Sequence, residues 1–423
     1  MKTLFVIGYV WPEPSSSAAG SRMMQLLEFF QTEGYNVIFG TTAGTTPHAV
    51  NLNDFGIESL KIELNNSSFD ALLEQMQPEM VLFDRFMMEE QFGWRVAEAC
   101  PDTVRILDTE DLHFLRKARQ ESFKKGKKTT VPDFQTDLAK REIASIYRCD
   151  LSLIISEAEI LLLQNEFSVP PELLFYLPFL LDVPSKEKIA ELPLFETRKN
   201  FISIGNFLHE PNWNAVLNLK QNIWPQIRKE LPEAQLHVYG AYTSAKVKQL
   251  HNEKEGFLVK GRAISALEVI QQARLLLAPL RFGAGLKGKF TDAMQAGTPS
   301  GTTSIGAEGM ATAQEWNGFV ADDPSAFAAA AVKLYTVKEL WKEAQKKGFL
   351  LLNKYSKVEH SKNFRSKIEE LQKNLMVHRK SNFTGQMLMH HNLASTKQLS
   401  RYIEMKNRLQ QELSKKRDHP QNE

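Results

Sequence analysis

Cysteine is nearly missing: the chain of 423 residues has two, Cys100 and Cys149. With neither CxxC spacing nor a paired framework, they exclude a disulfide scaffold and a cysteine-based zinc module; both read as core residues of a reducing compartment. Also missing is any run near the ~18–20 consecutive apolar residues that a membrane-spanning helix requires. No charge of one sign dominates. Lys plus Arg total 52 against 50 Asp plus Glu, and a formal charge of +2 gives no general reason to bind nucleic acid. Glycine (22) and proline (18) are too few for a collagen-like or low-complexity chain. With 43% apolar residues, the length suits two to three domains at roughly 100–200 residues each. The basic excess lies at the end: residues 376–423 hold nine Lys or Arg against four Asp or Glu, leaving 43 against 46 before them.

What is present is a rhythm of short apolar runs alternating with helical spacing, the mark of parallel sheets built from βαβ units. The first run, 4–10, breaks at Trp11-Pro12-Glu13-Pro14, and Arg22–Leu27 continues at helical spacing. This start therefore reads as strand, loop and helix rather than as a signal peptide. Further strands are expected at 36–39, 57–62, 80–83, 105–107, 151–156 and 174–177, completing a Rossmann-like domain over 1–184. A polar, proline-bearing linker follows at 185–199. A second Rossmann-like domain, 200–355, has strands at 201–204, 235–239, 257–260, 275–279 and 298–303, with no sequence period shared with the first. Residues 356–375 read as a terminal helix of the folded body, and 376–423 as a basic tail. In the tail, 376–398 is polar and irregular, while 399–413 sets Leu399, Tyr402, Ile403, Leu409 and Leu413 near one helical face, opposite Arg401, Lys406 and Arg408.

The most informative stretch is Ala278-Pro279-Leu280-Arg281-Phe282-Gly283-Ala284-Gly285-Leu286-Lys287-Gly288-Lys289. An apolar strand ends, glycines let the backbone approach a ligand, and a helix start offers free N–H groups to a phosphate. Lys287 and Lys289 stand where the helix dipole disfavours cations, so an anionic ligand explains them. The spacing is neither GxxxxGK[ST] nor GxGxxG, which sets aside P-loop chemistry and ordinary dinucleotide binding. No GxSxG elbow, HExxH helix or Cys/His pair is present, and Ser156 and Ser304 are lone serines.

These residues, with Asp292-Ala293-Met294, Gly297-Thr298-Pro299, Thr302-Thr303-Ser304-Ile305-Gly306-Ala307-Glu308-Gly309, Ile204-Gly205-Asn206-Phe207, Pro211-Asn212, Ser156-Glu157-Ala158-Glu159 and Asp108-Thr109-Glu110-Asp111-Leu112-His113, resemble the family 4-like retaining glycosyltransferases. The resemblance spans about residues 1–375. It implies the α/β GT-B fold, two Rossmann-like domains facing across a cleft, here with a C-terminal helical extension. It also implies sugar transfer from a nucleotide-diphosphate donor with retention of configuration, the second domain holding the donor through Gly205, Asn206, Asn212, Gly283, Gly285 and Asp292. The family's two acidic residues, separated by seven others, fall on Ala284 and Asp292, so the first is missing. Asn206 and Asn212 stand where many members carry Arg and Lys. The counter-charge that a leaving diphosphate needs is then expected from Arg281, Lys287 and Lys289. The resemblance places His113 near the sugar and a glycine turn at Gly20 and Ser21, where a backbone N–H meets a phosphate or acceptor hydroxyl; Asp111 orients substrate. Arg85, Arg116 and Glu308 are weaker candidates, and aromatic residues in 9–11 and 86–94 are expected to line the acceptor.

No DxD-like pair stands in a suitable loop, so neither a metal ion nor another cofactor is expected. The partners implied are a nucleotide sugar and a glycan, lipid-linked or other hydroxyl acceptor, in the cytoplasm or at the inner face of a membrane touched through 399–417. Two alternatives stay open: a sugar-nucleotide-binding protein without turnover, and a nucleotide-sugar epimerase of the same architecture.

Overall fold

The computed structural model describes residues 2–418; within them, nothing is said of the side chains of 412, 413 and 415–418. The part of the tail reading that rests on Leu413, Lys415, Lys416, Arg417 and 419–423 lies outside the described side chains.

Seven parallel strands form the first sheet: β1 (Thr3–Gly8), β2 (Asn36–Thr41), β3 (Glu58–Lys61), β4 (Met80–Asp84), β5 (Val104–Asp108), β6 (Leu151–Ile154) and β7 (Leu174–Tyr176), in the order β3-β2-β1-β4-β5-β6-β7. The second has six: β8 (Lys199–Ile204), β9 (Leu236–Tyr239), β10 (Phe257–Gly261), β11 (Ala273–Ala278), β12 (Ser300–Thr302) and β13 (Gly318–Val320), ordered β10-β9-β8-β11-β12-β13. Helices cover both faces of each sheet, so central strands are continuously apolar: Leu4 to Ile7 and Met80 to Phe83 are all buried. Cys100 and Cys149 are free and buried in the first core.

Three features depart from the sequence expectation. The edge strand β13 and the helix His113–Lys124 were not legible as elements. The helical stretch Glu210–Glu230 contains a wide, π-helical turn at Leu219–Ile223, just before Pro225, whose missing N–H disturbs the regular ladder. And 376–398 is not irregular: helix Lys357–Ser381 runs through it to Asn382, and helix Phe383–Asp418 follows. Asn382 begins the new helix, accepting from the Gly385 N–H (2.9 Å) and donating to the Tyr147 carbonyl (2.7 Å). The missing apolar periodicity has a physical reason: this helix faces the first domain through Met389, Asn392 and Ser400, a surface more polar than a hydrophobic stripe.

The chain closes by returning to its first domain. Leu181 pairs with residues 355–357, where the two crossings run side by side, and Phe364, Ile368 and Leu371 then enter the first core. Within the 185–199 linker, Lys186–Ala190 is a short helix and Arg198 is fully buried, donating to the Ala296 carbonyl (2.8 Å) and Thr298 Oγ1 (2.6 Å).

Candidate active site

Parallel strands deliver their C-terminal ends to one edge of each sheet, and ligands bind in the crevice there. At the end of β8 the structure brings together four sequence-predicted residues. A Cβ on Gly205 would lie 2.7 Å from the Asn212 side chain and 3.0 Å from Lys289 Nζ, so only glycine leaves room for this corner. Lys289 Nζ donates to Asn212 Oδ1 (2.7 Å), and Asn212 Nδ2 donates to the Asn206 carbonyl (2.9 Å). Asp292 lies one turn along the helix Gly288–Gln295. Burial pulls Lys289 down to about 8 despite the nearby Asp292, and burial pushes Asp292 up to about 7 against the pull of Lys289. Lys289 is a cation whose hydrogen-bond partner is a neutral amide.

The other two expected cations point elsewhere. Arg281 donates to Asn214 Oδ1 (2.7 Å) and stacks over Phe123 of the first domain at 4.6 Å. Lys287 turns back onto the Gly285 carbonyl (2.8 Å), and burial lowers it to about 8. The glycine turn itself touches the first domain more closely than the sequence implied. Gly285 has φ 63°, a left-handed conformation, and a Cβ there would meet Asp111 Cβ at 2.7 Å. Its N–H donates to Glu159 Oε1 (2.7 Å), so that amide is not free for a phosphate. The Gly283 carbonyl accepts from Arg119 (2.8 Å), whose guanidinium also grips Glu308 through both carboxylate oxygens at 2.6 and 2.7 Å. Ala284 is buried among residues of the first core.

The first-domain rim is held by paired charges. Asp108 forms a bidentate ion pair with Arg22 (2.8–3.2 Å), and Arg22 also donates to the carbonyls of Leu177 and Pro178. Asp111 binds Arg116; burial alone would raise its pKa, yet Arg116, His113 and His209 outweigh it and hold Asp111 at about 2. His113 opens the helix His113–Lys124, its Nε2 3.7 Å from Asp111 and its ring edge-on to Phe86. Burial drives it down to about 3, so it is a neutral imidazole at physiological pH. Glu110 adopts φ 63° at the end of β5, with a buried Oε1 that has no protein partner; burial, reinforced by Asp108, raises it to about 8.

Two expectations are corrected here. The Gly20 N–H is taken by Ser17 Oγ (3.0 Å), and the Ser21 hydroxyl donates to the Pro14 carbonyl (3.0 Å), so no free phosphate-binding amide is offered at Gly20. Gly20 is glycine because the Glu13 backbone would lie within 2.6 Å of a Cβ. This loop meets the second domain instead: Tyr242 donates to Glu13 (2.7 Å) and Arg262 to Ser15 (2.7 Å). Phe86, Phe92 and Trp94 are buried rather than lining the cleft, because their helix is sandwiched between the sheet and its neighbours; Tyr9 is 40% exposed, with Arg85 over its ring. Among the described residues, no three His, Cys, Asp or Glu side chains come together as a metal site.

Sequence reasoning missed Arg119 and His209. Phe114, Leu115, Ala118 and Ser122 are buried on one face of the helix that carries Arg119, a spacing that could have revealed it. His209, at the start of helix Glu210–Asn218, is held down to about 4 by burial and by Arg116, with Asp111 opposing and Lys289 and Arg85 adding to the decrease. No pattern signalled it, because only the fold brings residue 209 to residue 111.

A family model described as glycosyl transferases group 1 matches residues 198–337. No curated protein matches the chain. Solved structures match its architecture. Staphylococcus aureus TarM, in a complex with fondaparinux, α-GlcNAc-glycerol and UDP, has 11% identity and a TM-score of 0.64 over 88% of this chain and 100% of that one. Sucrose-phosphate synthase from Thermosynechococcus elongatus has 14% identity and a TM-score of 0.64, over 88% and 99%. Anabaena HepE with UDP and glucose has 12% identity and a TM-score of 0.63, over 88% and 100%. Two parallel sheets of this connectivity match the GT-B fold of these structures, and the group 1 glycosyltransferase model matches the second domain of this chain.

Proposed function

We propose that this protein transfers a sugar from a nucleoside-diphosphate donor to a hydroxyl acceptor with retention of configuration. The observation that carries the reading is the corner at Gly205, Asn212 and Lys289: a cation at a strand end that hydrogen-bonds a neutral amide, with Asp292, pushed up to about 7, as its nearby carboxylate. UDP bound to TarM and HepE makes a uridine nucleotide the first donor to try. The diphosphate would sit against Lys289 and the Asn206–His209 loop, with Asp292 toward the ribose and neutral His113 as a hydrogen-bonding group beside the sugar.

In the proposed step the bond between the anomeric carbon and the phosphate oxygen breaks while the acceptor oxygen bonds to the same face of that carbon. The leaving phosphate oxygen takes the acceptor proton. Catalysis then consists of stabilising negative charge on the leaving group, and side-chain cations supply it without a metal ion. Activity that survives EDTA supports that last point.

The test is a thermal-shift and hydrolysis screen against UDP-, GDP-, ADP- and TDP-sugars, repeated with Lys289→Ala. Stabilisation by one donor, slow nucleoside-diphosphate release and loss of both in the variant support the transferase. Stabilisation without release, acceptors included, would favour a binding protein. That second reading draws on buried Ala284 in place of the acid and on the Gly285 amide already bound to Glu159.

A further inference from the structure

The helix Phe383–Asp418 lies along the first domain on helices Phe86–Ala99 and Asp137–Arg148. Its inward face is only partly apolar: Met389, Asn392 and Ser400 are buried there, and Ser400 bonds Arg95 (3.2 Å) and Asn65 (2.7 Å). Leu393 and Ile403 are half-buried on the same side, and a second group of apolar side chains points the other way. Leu399, Tyr402, Met405 and Leu409, at steps of three and four residues, are 57–70% exposed, while Phe383 and Met387, exposed near the helix start, are separated from them by His391, Ser395 and Gln398. From 399 to 409 the stripe is roughly 15 Å long at 1.5 Å per residue.

Charge decides what fits on it. Between 383 and 411 the sequence has one acid, Glu404, and it turns inward, accepting from the Ser67 N–H (3.1 Å) and pairing with Arg408. Arg401 and Lys406 are exposed, and among the described residues no carboxylate pairs with either. On a helical wheel Arg401 falls at one edge of the stripe and Lys406 between Tyr402 and Leu399, from where long basic side chains reach polar headgroups while the apolar residues enter the acyl boundary. A second copy docked along the same stripe would bring like charges together. No described helix is long and apolar enough to cross a membrane, so this surface would lie on a bilayer rather than span it.

We infer that the outward face of helix Phe383–Asp418 docks the first domain onto an anionic lipid surface. The inference stands independently of which reaction the cleft performs.

The test is co-sedimentation of the full chain with vesicles containing phosphatidylglycerol or made of phosphatidylcholine alone. Alongside it run Tyr402→Ser/Met405→Ser/Leu409→Ser and Arg401→Gln/Lys406→Gln, none of which touches the cleft. The full chain partitions to anionic vesicles at least about tenfold better than to neutral ones, and salt weakens it. Each variant loses at least about tenfold while keeping its melting temperature. Absence of partitioning, or partitioning that survives the apolar triple substitution, overturns the inference. So does a concentration-dependent dimer in sedimentation equilibrium that the triple substitution abolishes, which would assign the stripe to a second copy.

Discussion

The two rims of the cleft handle charge in opposite ways. On the first-domain rim most carboxylates are met within the protein: Asp108 by Arg22, Asp111 by Arg116, and Glu142 by the N–H groups of His113 and Phe114, with Glu110 the exception. On the second-domain rim Arg281, Lys287 and Lys289 hydrogen-bond to neutral oxygens, those of Asn214, Gly285 and Asn212. A satisfied rim is a frame, rigid before anything binds. A rim whose cations hydrogen-bond only to neutral oxygens, with Asp292 near Lys289 and Glu308 near Lys287 but neither in contact, gains from a bound anion, because burying a charge beside neutral partners is costly.

The largest expected effects separate the two rims. Asp108→Ala leaves Arg22 buried and uncompensated and lowers folding stability by about 3–5 kcal/mol, read from the urea midpoint. Lys289→Ala has the reverse profile. Removing a half-buried cation leaves the urea midpoint unchanged or slightly higher, while nucleoside-diphosphate release falls by about 100-fold or more, the usual cost of one donor to a developing anion. A Lys289→Ala protein that unfolds as Asp108→Ala does would erase the distinction between the rims.

Most of the framework was legible in the sequence, because strands buried on both faces are continuous apolar runs: twelve of the thirteen strands lie where such runs predict them. The exception, β13, is three residues at a sheet edge, too short for periodicity to register. The Gly205, Asn212 and Lys289 corner was legible through its motifs. The pairing of Glu159 with Gly285, the Arg119 grip on Glu308 and the approach of His209 to Asp111 were not, since each joins residues 98–189 positions apart by a contact that only the facing of the domains creates. The tail was misread for a related reason. Apolar spacing locates a helix but not which face its neighbours cover, and here the covered face mixes Met389 with the polar Asn392 and Ser400.

A smaller effect follows from pH. Lys287 and Lys289 stand at about 8 in the free protein, below the ordinary lysine value of about 10.4. A bound diphosphate favours the charged form of Lys289, so donor affinity is full below pH 8 and declines as pH rises through it, by up to about tenfold per unit. The stability of the free protein moves the other way. Between about pH 8 and 10.4 the unfolded chain binds more protons at these lysines than the folded one, so their contribution to stability rises with pH. Calorimetric titration and urea unfolding across pH 7–10 should give opposed slopes, and parallel slopes would show that Lys289 does not meet the donor.

The smallest effect concerns the contact that joins the rims. Arg119, from the satisfied side, spans to Glu308 and the Gly283 carbonyl on the other, with the two side chains 15% and 31% exposed. At that exposure the pair is worth about 0.5–1 kcal/mol, short of the cost of a buried ion pair. Arg119→Ala should therefore leave the urea midpoint nearly unchanged. It frees the glycine turn from the helix His113–Lys124, and since Glu159 still holds Gly285, the turn loosens without detaching. A double-mutant cycle of Arg119→Ala with Glu308→Gln, read as donor affinity, isolates the bond between the domains from whatever each residue does alone. Coupling near 0.5–1 kcal/mol makes the pair a clasp that sets how often the cleft is closed, while zero coupling makes Glu308 a member of the second rim alone.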